Sequence, residues 1–145
     1  MNESILYIAF GLLSALTASL VAIFGKLGLK NVDPTLATTI RSIIMAVILI
    51  LISLVLKKFQ NLSFDILSTK EWLLIILAGI AGALSWLFYF WALKFGPVTH
   101  VTVLDRLSLV FIILLSALIL GESLNLKVVF GTILILLGAI LIISK

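Results

Sequence analysis

Five long runs with almost no charge, separated by short stretches that carry most of it, set the pattern of this chain. The first lies between Glu3 and Lys26 and is long enough, at about 1.5 Å per residue, to cross a ~30 Å hydrocarbon layer. It exceeds a signal-peptide core and has neither a basic leader nor a small-residue cleavage site, so it reads as a helix over 4–25. In the turn Lys30-Asn31-Val32-Asp33-Pro34, Asp33 can cap orphan amides and Pro34 suits a first helical position, which predicts a second helix over 35–56 with Arg41 as its one charge. Residues 57–71 turn polar, yet Phe59, Leu62, Phe64, Ile66 and Leu67 keep them amphipathic, as expected of chain lying along the headgroup boundary. Ser68-Thr69-Lys70-Glu71 reads as a capping box and Trp72 as an interfacial aromatic opening a third helix over 72–93, with Trp91 its mirror at the far end. Gly96-Pro97 breaks the chain and restarts it as a fourth helix over 98–120, with Asp105 and Arg106 inside the span and Gly121 ending it. Asn125 caps a fifth helix over 126–143.

Composition turns this pattern into a fold class. Apolar residues make up 63% of the chain and charged ones 11%, against about 45–50% and about 25% in a soluble domain. At roughly 20 residues per crossing, 145 residues fill five spans and leave no room for a soluble domain. The expectation is all-α: a polytopic membrane protein of five transmembrane helices, one domain over 1–145. A net charge of +4 and a pI near 9.6 would suggest nucleic acid in a soluble protein. Here the basic residues are scattered, none in a run longer than Lys57-Lys58, so no nucleic-acid partner is expected.

The same residues narrow the chemistry. There is no cysteine, hence no disulfide, thiolate metal site or cysteine nucleophile. No Ser-His-Asp set, intramembrane carboxylate pair, HExxH or phosphate-binding glycine loop is present, so the chain reads as no enzyme. His100 is the one histidine; alone it holds neither a structural metal nor haem, and no cofactor is expected. It reads as an interfacial side chain or a pH-sensing one.

Five spans place the termini on opposite faces, so loops can be sorted before either face is named. Lys57, Lys58, Lys70 and Lys127 fall on the N-terminal face; Lys26, Lys30, Lys94 and Lys145 fall on the other. Orientation follows an imbalance of Lys and Arg, and this even tally supplies none, as expected of a chain that inserts both ways round or of one whose fixed orientation charge counting does not capture.

Three charges lie within the spans: Arg41, Asp105 and Arg106. Such a group costs about 2.5–3.5 kcal/mol near a helix centre and persists where a partner or a wet cavity offsets it. Arg41 and Asp105 each lie about seven residues inside a helix that begins on the same face, at a matching depth of roughly 10 Å. Asp105 and Arg106 are neighbours pointing about 100° apart on a helix, so Asp105 pairs better with Arg41, leaving Arg106 to snorkel or to offer a positive charge to a ligand. The pair reads either as a structural pin or as the lining of a polar path. On the third helix, Ala78, Gly79, Ala81, Gly82 and Ala83 form small-xxx-small pairs for close helix packing. Ser85 and Tyr89 share a face with Trp86 beside them, an aromatic wall with hydroxyls for a partly apolar solute, or simply a lipid-facing surface. Ser14, Thr17 and Ser19 with Ala15, Ala18 and Ala22 make the first helix a packing face without an acid.

Leu104-Asp105-Arg106-Leu107-Ser108, then Leu120-Gly121-Glu122-Ser123-Leu124, then Gly131 and Gly138 resemble the C-terminal half of an EamA domain of the drug/metabolite transporter superfamily. The glycine-rich third helix ending in aromatics and Ala92-Leu93 is similar too, and the resemblance covers nearly the whole chain. It implies a prokaryotic inner-membrane secondary transporter of a small metabolite or drug-like solute. Most members carry two five-helix units, the second inverted; this sequence holds one, which implies a half-size member working as an antiparallel, dual-topology homodimer. Two departures stand out. Many full-length relatives have proline where Asp105-Arg106 stand, and the first helix lacks the membrane-embedded glutamate of the small multidrug exporters. The rival expectations are a non-transporting membrane subunit and a half-transporter that pairs with a different five-helix chain.

Overall fold

The computed structural model describes residues 3–60 and 67–144. Among the described residues six α-helices follow one another: α1 Glu3–Gly28, α2 Pro34–Val55, α3 Thr69–Phe95, α4 Val98–Asp105, α5 Ser108–Leu115 and α6 Leu126–Ile143, with a π-helical turn over Ser116–Leu120. Among these residues five stretches are long and apolar enough to span a membrane: Ile5–Gly28 of α1, α2, α3, Val98–Leu120 and α6. The chain is an all-α polytopic membrane protein, with no strand among the described residues. Leu62, Phe64 and Ile66, the centre of the expected headgroup segment, lie outside them.

The helix ends form where local chemistry satisfies orphan amides. Asp33 Oδ1 accepts from the Thr35 and Leu36 amides at 2.9 and 3.0 Å, with Pro34 at the first position of α2. Ahead of α3 the box is reciprocal: the Glu71 amide donates to Ser68 Oγ at 3.3 Å, and the Ser68 amide donates to Glu71 Oε2 at 2.7 Å. Asn125 Oδ1 accepts from the Val128 amide at 2.9 Å and opens α6.

The fourth span covers Val98–Leu120, the bounds expected, and its helical bonding is interrupted within it. Around Arg106 and Leu107 the backbone tightens into i to i+3 bonds: Leu107 to Leu104, Leu109 to Arg106 and Val110 to Leu107, all near 3.0 Å. The break falls at Arg106–Leu107, between α4 and α5. The span then relaxes into the π turn and stops at Gly121, where φ is +68°. A side chain there meets no steric neighbour, so the penalty of G121V is the left-handed backbone itself, about 1–2 kcal/mol. A melt followed by tryptophan fluorescence is expected to show a lowered Tm for G121V with far-UV helicity kept.

The chain divides into two compact units, Met1–Phe24 with Phe95–Lys145, and Gly25–Lys94. In the first, α4 packs against α6, where Val101 and Ala139 are buried. In the second, Leu29 and Leu93 are the most buried side chains, with Phe90 beside them in rank. Gly25 permits this: a Cβ there would stand 3.2 Å from Phe90 Cζ and 3.4 Å from Leu93 Cδ1. Elsewhere large apolar side chains are exposed along every span, the signature of helices whose surroundings are lipid or further protein.

Candidate functional site

The chemistry gathers in the unit of residues 25–94. Arg41 stands in the second turn of α2, half-buried, and its guanidinium carbon lies 3.9 Å from the centroid of Trp86 and 5.3 Å from that of Phe90. At such distances the ring faces attract the cation, by about 2 kcal/mol or more where water is excluded. Trp86 meets Tyr89 edge-on, centroids 5.7 Å apart and planes at 84°, and touches Phe90 at 6.2 Å. The positions 86, 89 and 90 are i, i+3 and i+4 of α3, so one helical face carries the aromatic wall.

The guanidinium has little oxygen to bond. Its Nη1 donates to the thioether sulfur of Met45, one turn on, at 3.0 Å. Its Nε is buried and finds no acceptor. Thioether sulfur is a weak acceptor, and an unpaired donor at this depth is costly. The described acids of this unit, Asp33 and Glu71, are both committed to helix N-termini. An anionic oxygen brought to Arg41 would meet an oriented, under-satisfied fork.

Beside it runs a ladder of hydroxyls. Thr35, Thr38, Thr39 and Ser42 of α2, with Ala83 and Leu87 of α3, line a cavity of about 260 Å³. The Thr38, Thr39 and Ser42 hydroxyls donate to the carbonyls of Pro34, Thr35 and Thr38 at 2.8–2.9 Å. Their protons are thus taken up by the helix, and their oxygens are left as acceptors. Gly79 and Gly82 face open space, with no atom within 4 Å of an added Cβ.

Of the residues singled out in the sequence, Arg41, Trp86 and Tyr89 come together here, and Ser85 lies exposed one position ahead of Trp86. Asp105 and Arg106 belong to the other unit, exposed at the break in the fourth span. His100 is half-buried in α4. Phe90, Met45 and the Thr38–Ser42 ladder were not anticipated. The ladder was legible as hydroxyls at i, i+3, i+4 and i+7; Phe90 and Met45 carry no polar signal.

Comparison with known proteins bears on the whole chain. A Sinorhizobium protein described as an uncharacterised transporter in the cobO 3' region is 37% identical over 133 residues, 92% of this chain and 93% of its own length. The pseudopaline exporter of Pseudomonas aeruginosa is 34% identical over 71 residues, 49% of this chain but 25% of that protein. No solved structure matches. The EamA-like transporter family matches residues 5–144, and the chain belongs to that family.

Proposed function

We propose that the protein is a secondary transporter of the inner membrane that moves a small solute bearing a carboxylate or similar anionic group by alternating access. The observation that carries the reading is the Arg41 guanidinium, stacked on Trp86 with its Nε buried and unpartnered. A planar fork held against an aromatic face suits bidentate recognition of a carboxylate. The wall of Trp86 and Tyr89, backed by the buried Phe90, takes the apolar part of the solute, with Ser85 at its edge. Arg106 offers a positive charge of its own, and Asp105 carries the coupling proton.

The functional particle in this reading is an antiparallel homodimer, since one five-helix unit reproduces an inverted repeat only with an oppositely inserted copy. The even lysine tally supports it, as does a relative named as a transporter that matches this chain over 93% of its own length. Counterflow in proteoliposomes against a panel of carboxylates and their uncharged amides tests the substrate class. Carboxylates exchange and amides do not if the reading holds; equal exchange, or none for either, rejects it. Topology is tested by fusing green fluorescent protein and alkaline phosphatase in turn to the C-terminus. Both fusions are expected to be active; activity of one alone ends the antiparallel homodimer.

A further inference from the structure

A second cationic cluster, apart from Arg41, sits at the end of the same unit. Lys26, Lys30 and Lys94 line one cavity of about 160 Å³ together with Leu29 and Leu93. Two of the three are fixed in a reciprocal clamp. Lys26, in the last turn of α1, donates to the carbonyl of Leu93 in α3. Lys94, in the last turn of α3, donates to Leu29 O at 2.7 Å and to Lys30 O and Val32 O at 3.3 and 3.4 Å. Each ammonium satisfies the orphan carbonyls at the other helix's C-terminus and meets the negative end of its dipole. The floor beneath is the best-packed place in the chain, Leu29 being 2% exposed and Leu93 0%.

The clamp accounts for Lys26 and Lys94, and not for Lys30. Its side chain is exposed, and only its backbone carbonyl takes part in the clamp. It brings a third positive charge to a cavity with no acid in its lining. Asp33, the nearest acid in sequence, is spent on the N-cap of α2. Like charges gathered on a rigid floor without a counter-charge repel unless an anion joins them.

Position names the anion. The C-termini of α1 and α3 and the start of α2 emerge on one face of the membrane, because successive spans alternate in direction. The cavity therefore opens at headgroup depth, where basic pockets between helices take lipid phosphates. We infer that Lys26, Lys30 and Lys94 form a site for the phosphate of an anionic phospholipid, with Leu29 and Leu93 flooring it on the acyl side. The site is independent of the transport reading.

The test uses the whole protein, delipidated in mild detergent and re-exposed to phosphatidylglycerol or phosphatidylcholine, with bound lipid counted by native mass spectrometry. Phosphatidylglycerol is retained in preference, and K30Q lowers its apparent affinity about fivefold, the contribution of one lysine near a charged lipid surface. K30R restores it. Lys30 enters the clamp through its backbone carbonyl alone, so K30Q keeps the wild-type melting curve, which shows that the fold is intact. Equal retention of the two lipids, or no effect of K30Q, overturns the site. Binding of inorganic phosphate without retention of phosphatidylglycerol overturns the lipid as its source and leaves a site for a soluble anion.

Discussion

Replacing Arg41 by Gln is expected to lower kcat/KM for carboxylate counterflow about 10- to 150-fold, the loss of a hydrogen bond to a charged group worth about 1.5–3 kcal/mol. The expectation rests on a guanidinium that spends one donor on Met45 Sδ and leaves Nε buried and unbonded. A residue kept only for packing would not be held short of acceptors. R41K keeps the charge but loses the planar fork and the stack on Trp86, so it recovers part of the activity. R41M separates function from folding. Its apolar chain fits the ring face at 3.9 Å and relieves the unpaired donor, so R41M melts at or above the wild-type temperature while exchange is lost. Transport-competent R41M would show that Arg41 is a structural residue. W86L tests the other half of the pair: cation–π attraction of about 0.5–2 kcal/mol predicts a loss of about 2- to 30-fold.

What the sequence made legible here follows from how far each interaction reaches along the chain. Helix starts rest on contacts two or three residues apart, so Asp33, the Ser68–Glu71 box and Asn125 could be read directly, and each bonds as expected. Gly121 was readable for the same reason: a glycine after a long apolar run marks a left-handed cap, and φ there is +68°. The break at Arg106–Leu107 was not readable, because no proline or glycine marks it and the switch to i+3 bonding is a balance among weak local preferences. The site shows the same division. A charge within a span announced Arg41, but its partner Trp86 stands 45 positions later, and aromatic residues at membrane depth are ordinary. The Lys26–Leu93 and Lys94–Leu29 bonds join positions 67 and 65 apart. In sequence those lysines are simply boundary charges; only the packing of α1 against α3 at Gly25 makes them a clamp.

Asp105→Asn is the second large expected effect, and it bears on coupling rather than binding. Asp105 sits in the fourth span where α-helical bonding gives way to i+3 bonds before resuming at α5. A carboxylate within a span costs about 2.5–3.5 kcal/mol as an ion near a helix centre and is kept there by a function or a partner. The backbone beside it turns through i+3 bonds between α4 and α5, and such bonding within a helix often marks a hinge. Asn keeps the shape and hydrogen-bonding capacity of the protonated acid but cannot release a proton. If Asp105 carries the coupling proton, D105N loses uptake driven by an imposed pH gradient, while solute-for-solute counterflow continues near the wild-type rate. The two readouts part the alternatives. Loss of both, with an unchanged melting curve, would place Asp105 in solute binding; retention of both, with a lowered Tm, would make it a structural counter-charge. D105E keeps a titrating group on a longer arm, and recovery of gradient-driven uptake in D105E alone would tie the coupling to the proton rather than to the side chain's shape.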